Sequence, residues 1–288
     1  MRVIADTTCH FSVEEAKAAN VILVPNQITV GNHIYRDYLD IDSVSFIDEI
    51  KDTFAQTSQP NIGDVMAAYE ACGNESAIHI TTGKGLSSAF DSACSMQKSI
   101  GASNIEVFNS RSVGGPNRYL VQLASLLASE KFSLGKIIEH MQRCLMECQS
   151  YVIPVDFRFL QHSGRLTPLA AKIGGFLQIK PVMAQSEDRE RIEKFSINRT
   201  WIGSINSIID DLVKNRVTAR HRIYIAHAIN PEIAKIAQDR IVNRIPNADI
   251  EILKLAPSMI VHGGPGCLVI QYILKDEMAS SISKIKLK

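Results

Sequence analysis

The sequence predicts an α/β protein of two domains. In its first half, short apolar runs alternate with amphipathic helical patterns, which favours a parallel sheet with helices on both faces. The second half departs from this rhythm, with a Pro- and Gly-interrupted apolar stretch at 166–183 and a polar strand-like run at 189–197, and we expect strands of mixed direction there. No low-complexity linker separates the halves, so we expect domains at 1–155 and 156–288 that pack directly on each other.

The elements of the first half are predicted from periodicity and capping signals. Arg2–Asp6 is an apolar run typical of a first strand. Ser12 and Glu15 have the spacing of a capping box, which predicts that a helix begins there. Residues 27–37 predict a hairpin that turns near Gly31. The other predicted elements of this half are strands at 21–25, 77–81 and 105–110, and helices at 43–54, 65–72, 86–100, 118–128 and 134–148.

The second half is predicted in the same way. It starts with a connecting strand at 151–157 and ends with an apolar strand at 267–274. The glycine-dense segment at 256–266 predicts a loop with a tight turn. Between these lie predicted strands at 189–197, 222–227 and 248–255, and predicted helices at 202–214 and 231–240.

Composition excludes several classes of protein. Apolar residues make up 45% and charged residues 21%, which is typical of soluble globular chains and not of disordered ones. The net charge of +1 gives no reason to expect nucleic-acid binding, and any membrane contact is expected to be peripheral or transient. The N-terminus has no signal-peptide pattern and no stretch reaches about 20 apolar residues, so we expect a cytoplasmic protein.

The cysteines predict neither a disulfide framework nor a metal site. All six are scattered without CxxC spacing, which in a chain of this length favours reduced thiols. Cys144 and Cys148 fall four residues apart on one predicted helix face, with no histidine or second pair nearby. We expect no bound metal.

Loops rich in hydroxyls and glycines follow three predicted strands. They are Asp6–Cys9, Thr81–Ser88 and Asn109–Gly115. Such loops gather at the carboxyl edge of a parallel sheet, where free backbone N–H groups and hydroxyls suit a carboxylate or a phosphate. The alternative is that each serine or threonine only caps the next helix.

Three further segments carry polar groups that could either bind a ligand or have a structural role. Thr57–Pro60 predicts a fourth hydroxyl-bearing loop between two helices, or a helix cap. Arg165 could bind a carboxylate with its fork of donors, or form an ordinary ion pair. His262, in the predicted turn, could donate to a carboxylate or serve acid/base chemistry, or be structural.

The common enzyme motifs are absent from the sequence. Gly83-Lys84-Gly85 lacks the earlier glycine of a Walker loop, and Gly85 stands where that loop needs serine or threonine. The sequence contains no GxSxG, HExxH or GxGxxG. We therefore expect an anion site without a nucleotide loop and without a cofactor.

Taken together, the segments form an ordered series that resembles the DegV family of bacterial fatty-acid-binding proteins across nearly the whole chain. The series is DTT from Asp6, TSQP from Thr57, LSSAF from Leu86, NSRSVGGP from Asn109, SGR ending at Arg165, LQIKP from Leu177, FSINRT ending at Thr200 and HGGPG from His262. The chain departs from the family pattern at Ala89 and Phe90, which replace hydroxyl-bearing residues, and at Asn109, which replaces an aspartate.

The resemblance implies an N-terminal three-layer α/β/α domain with a parallel sheet and a C-terminal two-layer α/β domain with a mixed sheet. It also implies a fatty acid in a buried tunnel near the domain junction. By the resemblance, Thr57 and Ser87 bind the carboxylate, with Arg165 and His262 supporting that end. The secondary candidates are Ser58, Ser88, Thr8 and Arg199, the last adding positive charge in the second domain.

Members of this family carry the lipid for a bacterial fatty acid kinase. The resemblance therefore implies a long-chain fatty acid as ligand and a separate ATP-dependent kinase subunit as partner, which phosphorylates the carboxylate to an acyl phosphate for phospholipid synthesis. The chain itself is then not an enzyme. Two alternatives remain open: a stand-alone enzyme on a small polar substrate, since the fold is shared with dihydroxyacetone kinases, and a lipid sensor. The stretch at 166–183 is a candidate tunnel wall, or ordinary core.

Overall fold

The structure is a computed structural model that describes residues 1–172 and 179–278. A short 3-10 turn at Thr7–Cys9 follows the first strand. The strands in chain order are β1 (Arg2–Asp6), β2 (Val21–Val24), β3 (Gln27–Val30), β4 (His33–Arg36), β5 (Gln56–Ser58), β6 (Ala77–Thr81), β7 (Ile105–Asn109), β8 (Cys148–Ile153), β9 (Lys180–Gln185), β10 (Ile192–Asn198), β11 (His221–His227), β12 (Asp249–Lys254) and β13 (Leu268–Leu274). The helices are α1 (Val13–Ala18), α2 (Ser43–Glu49), α3 (Ile62–Glu70), α4 (Ala89–Ser99), α5 (Gly115–Ser129), α6 (Leu134–Leu145), α7 (Phe157–Ser163), α8 (Pro168–Ala171), α9 (Trp201–Lys214), α10 (Pro231–Arg244) and α11 (Pro257–Gly263).

The first sheet has the order β2-β1-β6-β7 and all its strands are parallel. On one face, Ile78 and Ile80 of β6 pack against Leu120 and other apolar residues of α5. On the opposite face, Ile4 of β1 packs with Tyr69 of α3. Helices therefore cover both faces, as the alternation of apolar and helical segments predicted.

The second sheet has the order β10-β9-β8-β13-β11-β12, in which only β11 and β12 are parallel. Helices α9 and α10 cover one face through Ile205, Ile208 and Ala234. The predicted mixed sheet is confirmed, and with it the fold class. Strand β8 belongs to this sheet although it precedes residue 155 in sequence; the domain boundary at 155 remains a prediction.

Helix α5 lies between the two sheets and contacts strands of both. Its first turn approaches β11 so closely that a Cβ added to Gly115 would lie 2.3 Å from Cγ of Tyr224. The guanidinium of Arg118, 6% exposed, binds both carboxylate oxygens of Glu15 in α1 and donates to Oε1 of Glu251 in β12 at 2.9 Å. It also donates to the carbonyl of His10 at 2.8 Å. One buried cation thus joins both halves of the protein.

A third, small sheet with the order β4-β3-β5 was only half predicted. The hairpin β3–β4 is present, with Val30 opposite His33. Thr57, however, was predicted in a loop and instead lies on β5, where it pairs with Ile28. The pairing joins segments about 30 residues apart, and such contacts leave no local periodicity to detect.

The loop predicted at 256–266 is also wrong, because it contains helix α11. Pro257 occupies the first turn, where its missing N–H costs nothing. Ile260 and Val261 are buried against the third and second sheets, which supplies the packing energy for a short helix. His262 therefore lies in the last helical turn, and the chain leaves the helix at Gly264, where φ is +78°.

The predicted helix at 134–148 is too long. It ends at Leu145, and Cys148 begins β8 opposite Ile273. The backbone N–H of Leu274 donates to the carbonyl of Glu147 at 2.9 Å, so sheet pairing has replaced the last helical turn. Cys144 and Cys148 therefore do not share a helix face.

Part of the predicted tunnel wall, residues 173–178 with Leu177 of the LQIKP motif, lies outside the described residues. The described parts of that stretch contribute Leu166, Ala170 and Met183 to a small apolar cluster. Within 1–172 and 179–278, no helix combines the length and apolarity required to cross a bilayer.

We expect Arg118→Met to lower the free energy of unfolding by about 3 kcal/mol, because the substitution leaves Glu15 without its cation and Glu251 with Arg222 alone. Urea unfolding, followed by circular dichroism, measures the effect. Arg143→Met is the matched control, since Arg143 is 45% exposed and its nearest carboxylate oxygen lies 3.8 Å away. Equal unfolding midpoints for the two variants would contradict the structural role of Arg118.

Candidate functional site

The strand ends predicted to gather at one sheet edge do so, around a cavity of about 430 Å³ that we call the polar cavity. In the first sheet, β2 and β6 lie on opposite sides of β1, so the strand order reverses at β1. Thr8 after β1 and Thr82 after β6 both line the polar cavity, which thus lies at the switch point where ligands bind in open α/β sheets. Seven of the eight candidate residues line it: Thr8, Thr57, Ser58, Ser87, Ser88, Arg165 and His262.

Arg199 is the exception. It is exposed at the end of β10 and does not line the polar cavity. The structure therefore brings together hydroxyls from both halves with Arg165 and His262, and leaves Arg199 at the surface.

Thr57 and His262 form a hydrogen-bonded pair on the cavity wall. Their Oγ1 and Nε2 atoms are 3.0 Å apart, although 205 residues separate them in sequence. Burial lowers the pKa of His262 to about 3, and the positive charge of Arg165 lowers it further in the same direction. The imidazole is therefore neutral at physiological pH, which excludes His262 as a cationic partner for an anion and leaves it as a neutral donor or acceptor.

Arg165 brings the positive charge of the polar cavity. Its Nε donates to the carbonyl of Leu86 at 3.1 Å and its Nη1 to the carbonyl of Ser163. Across residues 1–172 and 179–278, it forms no ion pair with a carboxylate. Partial burial lowers the pKa of Arg165, and the positive charge of the nearby Arg191 lowers it further. A half-buried guanidinium held only by carbonyls favours an anionic ligand.

The loop after β6 divides into a packing part and a cavity part. Cβ atoms added to Gly83 and Gly85 would lie 2.8 Å from the backbone N of Ser112 and 2.6 Å from the carbonyl oxygen of Glu190. The glycines thus allow two other loops to approach. Lys84 is bound at the surface to Asp91, at 3.1 Å.

The serines of that loop face the polar cavity. Ser87 Oγ accepts from the N–H of Ala89 at 3.2 Å, which leaves the hydroxyl proton of Ser87 available to a ligand. Ser88 occupies the N-cap position of α4 but makes no capping hydrogen bond. The helix-cap explanation therefore does not account for Ser88.

Sequence reasoning found only part of the inner wall of the polar cavity, which rests on two buried carboxylates. Asp6 binds Thr8 and Thr82, and Asp37 binds Ser258. Burial raises the pKa of both carboxyl groups, that of Asp37 to about 6, while hydrogen bonds oppose the rise. The DTT loop signalled Asp6, but Asp37 and Ser258 lie 221 residues apart, and no sequence pattern connects them.

A narrow apolar space of about 80 Å³, which we call the apolar passage, adjoins the polar cavity. Val152, Met183 and Val269 of the second sheet line it, with Leu160 of α7. The two spaces share five lining residues: Leu86, Val113, Ile192, Met259 and His262. His262 thus stands where the polar and apolar surfaces meet.

Comparison with known proteins relates this chain to a protein family and to solved structures of the same fold. The family model described as an uncharacterised protein of the DegV family matches residues 1–275. The DegV protein of Bacillus subtilis is 25% identical over 279 residues, covering 95% of this chain and 99% of its own.

Solved structures share the fold over nearly the whole chain. The crystal structure of the same Bacillus subtilis protein, described as a fatty acid binding protein, has a TM-score of 0.84 at 26% identity and covers 95% of this chain and 99% of its own. A DegV family protein from Thermus thermophilus, described by its fatty acid binding, has a TM-score of 0.86 at 19% identity, with the same coverage. A stearic acid-binding protein from Eubacterium ventriosum has a TM-score of 0.85 at 17% identity and covers 96% of this chain and 100% of its own.

We expect acid to destabilise the protein through His262. Its pKa is about 3 when folded against an ordinary value of 6.5, so the unfolded chain binds the extra proton and stability falls as the pH drops below 6.5. His262→Asn should reduce the loss of unfolding free energy between pH 7 and pH 5 by about 1 kcal/mol, a modest value because one side of the ring borders the cavity. Urea titrations at both pH values measure this.

The control is His33→Asn, because His33 is exposed on β4. That variant should lose as much stability on acidification as the unmodified protein. If His262→Asn loses as much unfolding free energy between pH 7 and pH 5 as the unmodified protein, His262 does not stay neutral in the folded state.

Proposed function

Because this chain belongs to the DegV family, we propose that it binds a long-chain fatty acid, with the carboxylate in the polar cavity and the hydrocarbon tail entering the apolar passage. One observation carries the proposal: Arg165, which has no carboxylate partner in the described chain, lines a polar cavity that continues directly into apolar surface. The related proteins described as fatty acid binding support it.

At the carboxylate end we assign Thr57, Ser87, Arg165 and His262. A carboxylate removed from water is costly unless it is paired and hydrogen-bonded, and these groups provide a cation and hydroxyl donors on one wall. With the His262 proton on Nε2, His262 donates to Thr57 Oγ1 and the threonine proton is free for the ligand. Neutral His262 thereby orients Thr57 without adding charge.

The tail is held by burial, at about 0.8 kcal/mol for each CH₂ group. The apolar passage is narrow, at about 80 Å³, and adjoins the polar cavity. The passage sets the direction of the tail, between the second sheet and α7.

We further propose that a separate ATP-dependent kinase subunit phosphorylates the bound carboxylate. One carboxylate oxygen attacks the γ-phosphorus of ATP, the bond to ADP breaks, and an acyl phosphate remains. The family resemblance supports this role, and so does a sequence that lacks a Walker loop. A polar cavity of about 430 Å³ has room beside the carboxylate for a phosphoryl group.

We expect fatty acid in the purified protein, near one molecule per chain. The test is to denature the protein, extract it with organic solvent and identify the extract by mass spectrometry. The loaded protein with ATP and a bacterial fatty acid kinase subunit should then yield acyl phosphate, and the same mixture without the kinase should not. An empty extract together with no uptake of added stearic acid would reject the carrier; acyl phosphate formed without kinase would show a stand-alone enzyme.

We expect Thr57→Val and Arg165→Met each to raise the dissociation constant for stearic acid by about tenfold or more, since each removes a hydrogen bond to a charged group. Competition with radiolabelled stearic acid measures this. Thr29→Val on the neighbouring strand β3 and Arg199→Met at the surface are the controls and should leave the constant unchanged. Wild-type retention in both site variants would remove these two residues from the carboxylate site.

A further inference from the structure

Ser258 lines the polar cavity, and its hydroxyl proton is already used in a hydrogen bond to Asp37. Ser258 is 3% exposed and its Oγ donates to Oδ2 of Asp37 at 2.5 Å. Thr7 Oγ1 donates to the same oxygen at 2.8 Å, and the Ser258 N–H donates to Oδ1 at 3.2 Å. Burial raises the pKa of Asp37 to about 6, which leaves it ionised and accepting at neutral pH. Ser258 Oγ therefore offers only lone pairs to a ligand.

The neighbouring hydroxyls of Thr8 and Thr82 are committed in the same way. Both contact the carboxylate of Asp6, that of Thr82 at 2.8 Å, and their Oγ1 atoms lie 2.7 Å from each other. Each hydroxyl donates its one proton to the carboxylate of Asp6, so neither proton is left for a ligand. The amide of Asn117 also donates to Thr8 at 3.3 Å. The wall formed by Thr8, Thr82 and Ser258 thus accepts hydrogen bonds from the polar cavity and donates none.

This acceptor wall lies close to the proposed carboxylate site. Ser258 and His262 are four residues apart on α11 and so share a helix face, about 6 Å apart at their Cβ atoms. Met259, next to Ser258, lines both the polar cavity and the apolar passage. The first few carbons of an acyl chain bound at His262 therefore pass near Ser258.

Because this wall only accepts hydrogen bonds, it favours ligand groups that donate them. A ligand carboxylate is excluded, because it would meet lone pairs backed by the charge of Asp37. A hydroxyl on the ligand fits, since it supplies the proton that the wall lacks. We propose that the polar cavity accepts fatty acids with a hydroxyl group on C3, which donates to Ser258 Oγ; this inference rests on the fatty-acid function proposed above.

The test compares stearic acid with each enantiomer of 3-hydroxystearic acid as competitors for radiolabelled stearic acid on the full-length protein. In the unmodified protein, one enantiomer should displace the label at a concentration about threefold to tenfold lower than stearic acid does. This preference should disappear in Ser258→Ala. The quantity compared between variants is the ratio of the concentrations at which stearic acid and 3-hydroxystearic acid displace the label. This comparison cancels the difference in aqueous solubility of the two acids.

Asp37→Asn keeps the Ser258 hydroxyl in place and reverses its hydrogen bond, because the asparagine amide donates to Ser258 Oγ and turns the serine proton toward the polar cavity. A hydroxyl on the ligand can accept that proton, so the preference for the hydroxy acid should persist in Asp37→Asn and be lost only where the Ser258 hydroxyl is removed. Ser43→Ala, which removes a buried hydroxyl bonded to the carbonyl of Leu255 outside the polar cavity, should keep the preference.

The outcomes separate the two proposals. Binding of stearic acid with no preference for either hydroxy acid overturns the inference and leaves the carrier function standing. A preference that persists in Ser258→Ala also overturns it. Failure of all three acids to bind the unmodified protein rejects both proposals together.

Discussion

The buried guanidinium of Arg118 is the interaction on which the rest of the structure depends. It binds Glu15 in α1 and Glu251 in β12, and so fixes α5 between the first and second sheets. The polar cavity takes Thr8 and Thr82 from the first sheet and His262 from the helix that follows β12. A shift of one sheet against the other would separate these walls. The desolvation cost of the cation is offset by two carboxylates and a carbonyl. The position of the cavity walls depends on these contacts.

Much of the fold could be predicted from the sequence because the first half is built from local signals. The capping box of Ser12 and Glu15 is present in the structure, and the alternation of apolar and helical segments gave the parallel sheet. The errors share a physical cause. Strand β5 forms by pairing with β3, α11 by burial against other elements, and β8 replaces a helical turn by pairing with β13. Contacts distant in sequence decide each of these, and periodicity carries no information about them.

The candidate site was predictable to a different degree in each part. Residue chemistry alone pointed to the loops at the sheet edge, but it could not separate Ser87, which faces the polar cavity, from Gly83 and Gly85, which serve packing. The family resemblance selected Arg165 and His262, for which chemistry had left two interpretations, and both line the polar cavity. The same resemblance named Arg199, which lies elsewhere. Neither route reached Asp37, because its importance depends on where the fold places Ser258.

The pairing of Thr57 with His262 has a consequence for synthesis of the protein. The polar cavity needs residues from position 8 to position 262, so the chain must leave the ribosome as far as His262 before its walls can meet. The first sheet and the helices that cover it are complete in sequence by residue 145. A nascent chain that ends before α11 has no closed binding site, and it has no means of sequestering ligand until α11 packs against the small sheet. Ligand capture therefore comes late in folding.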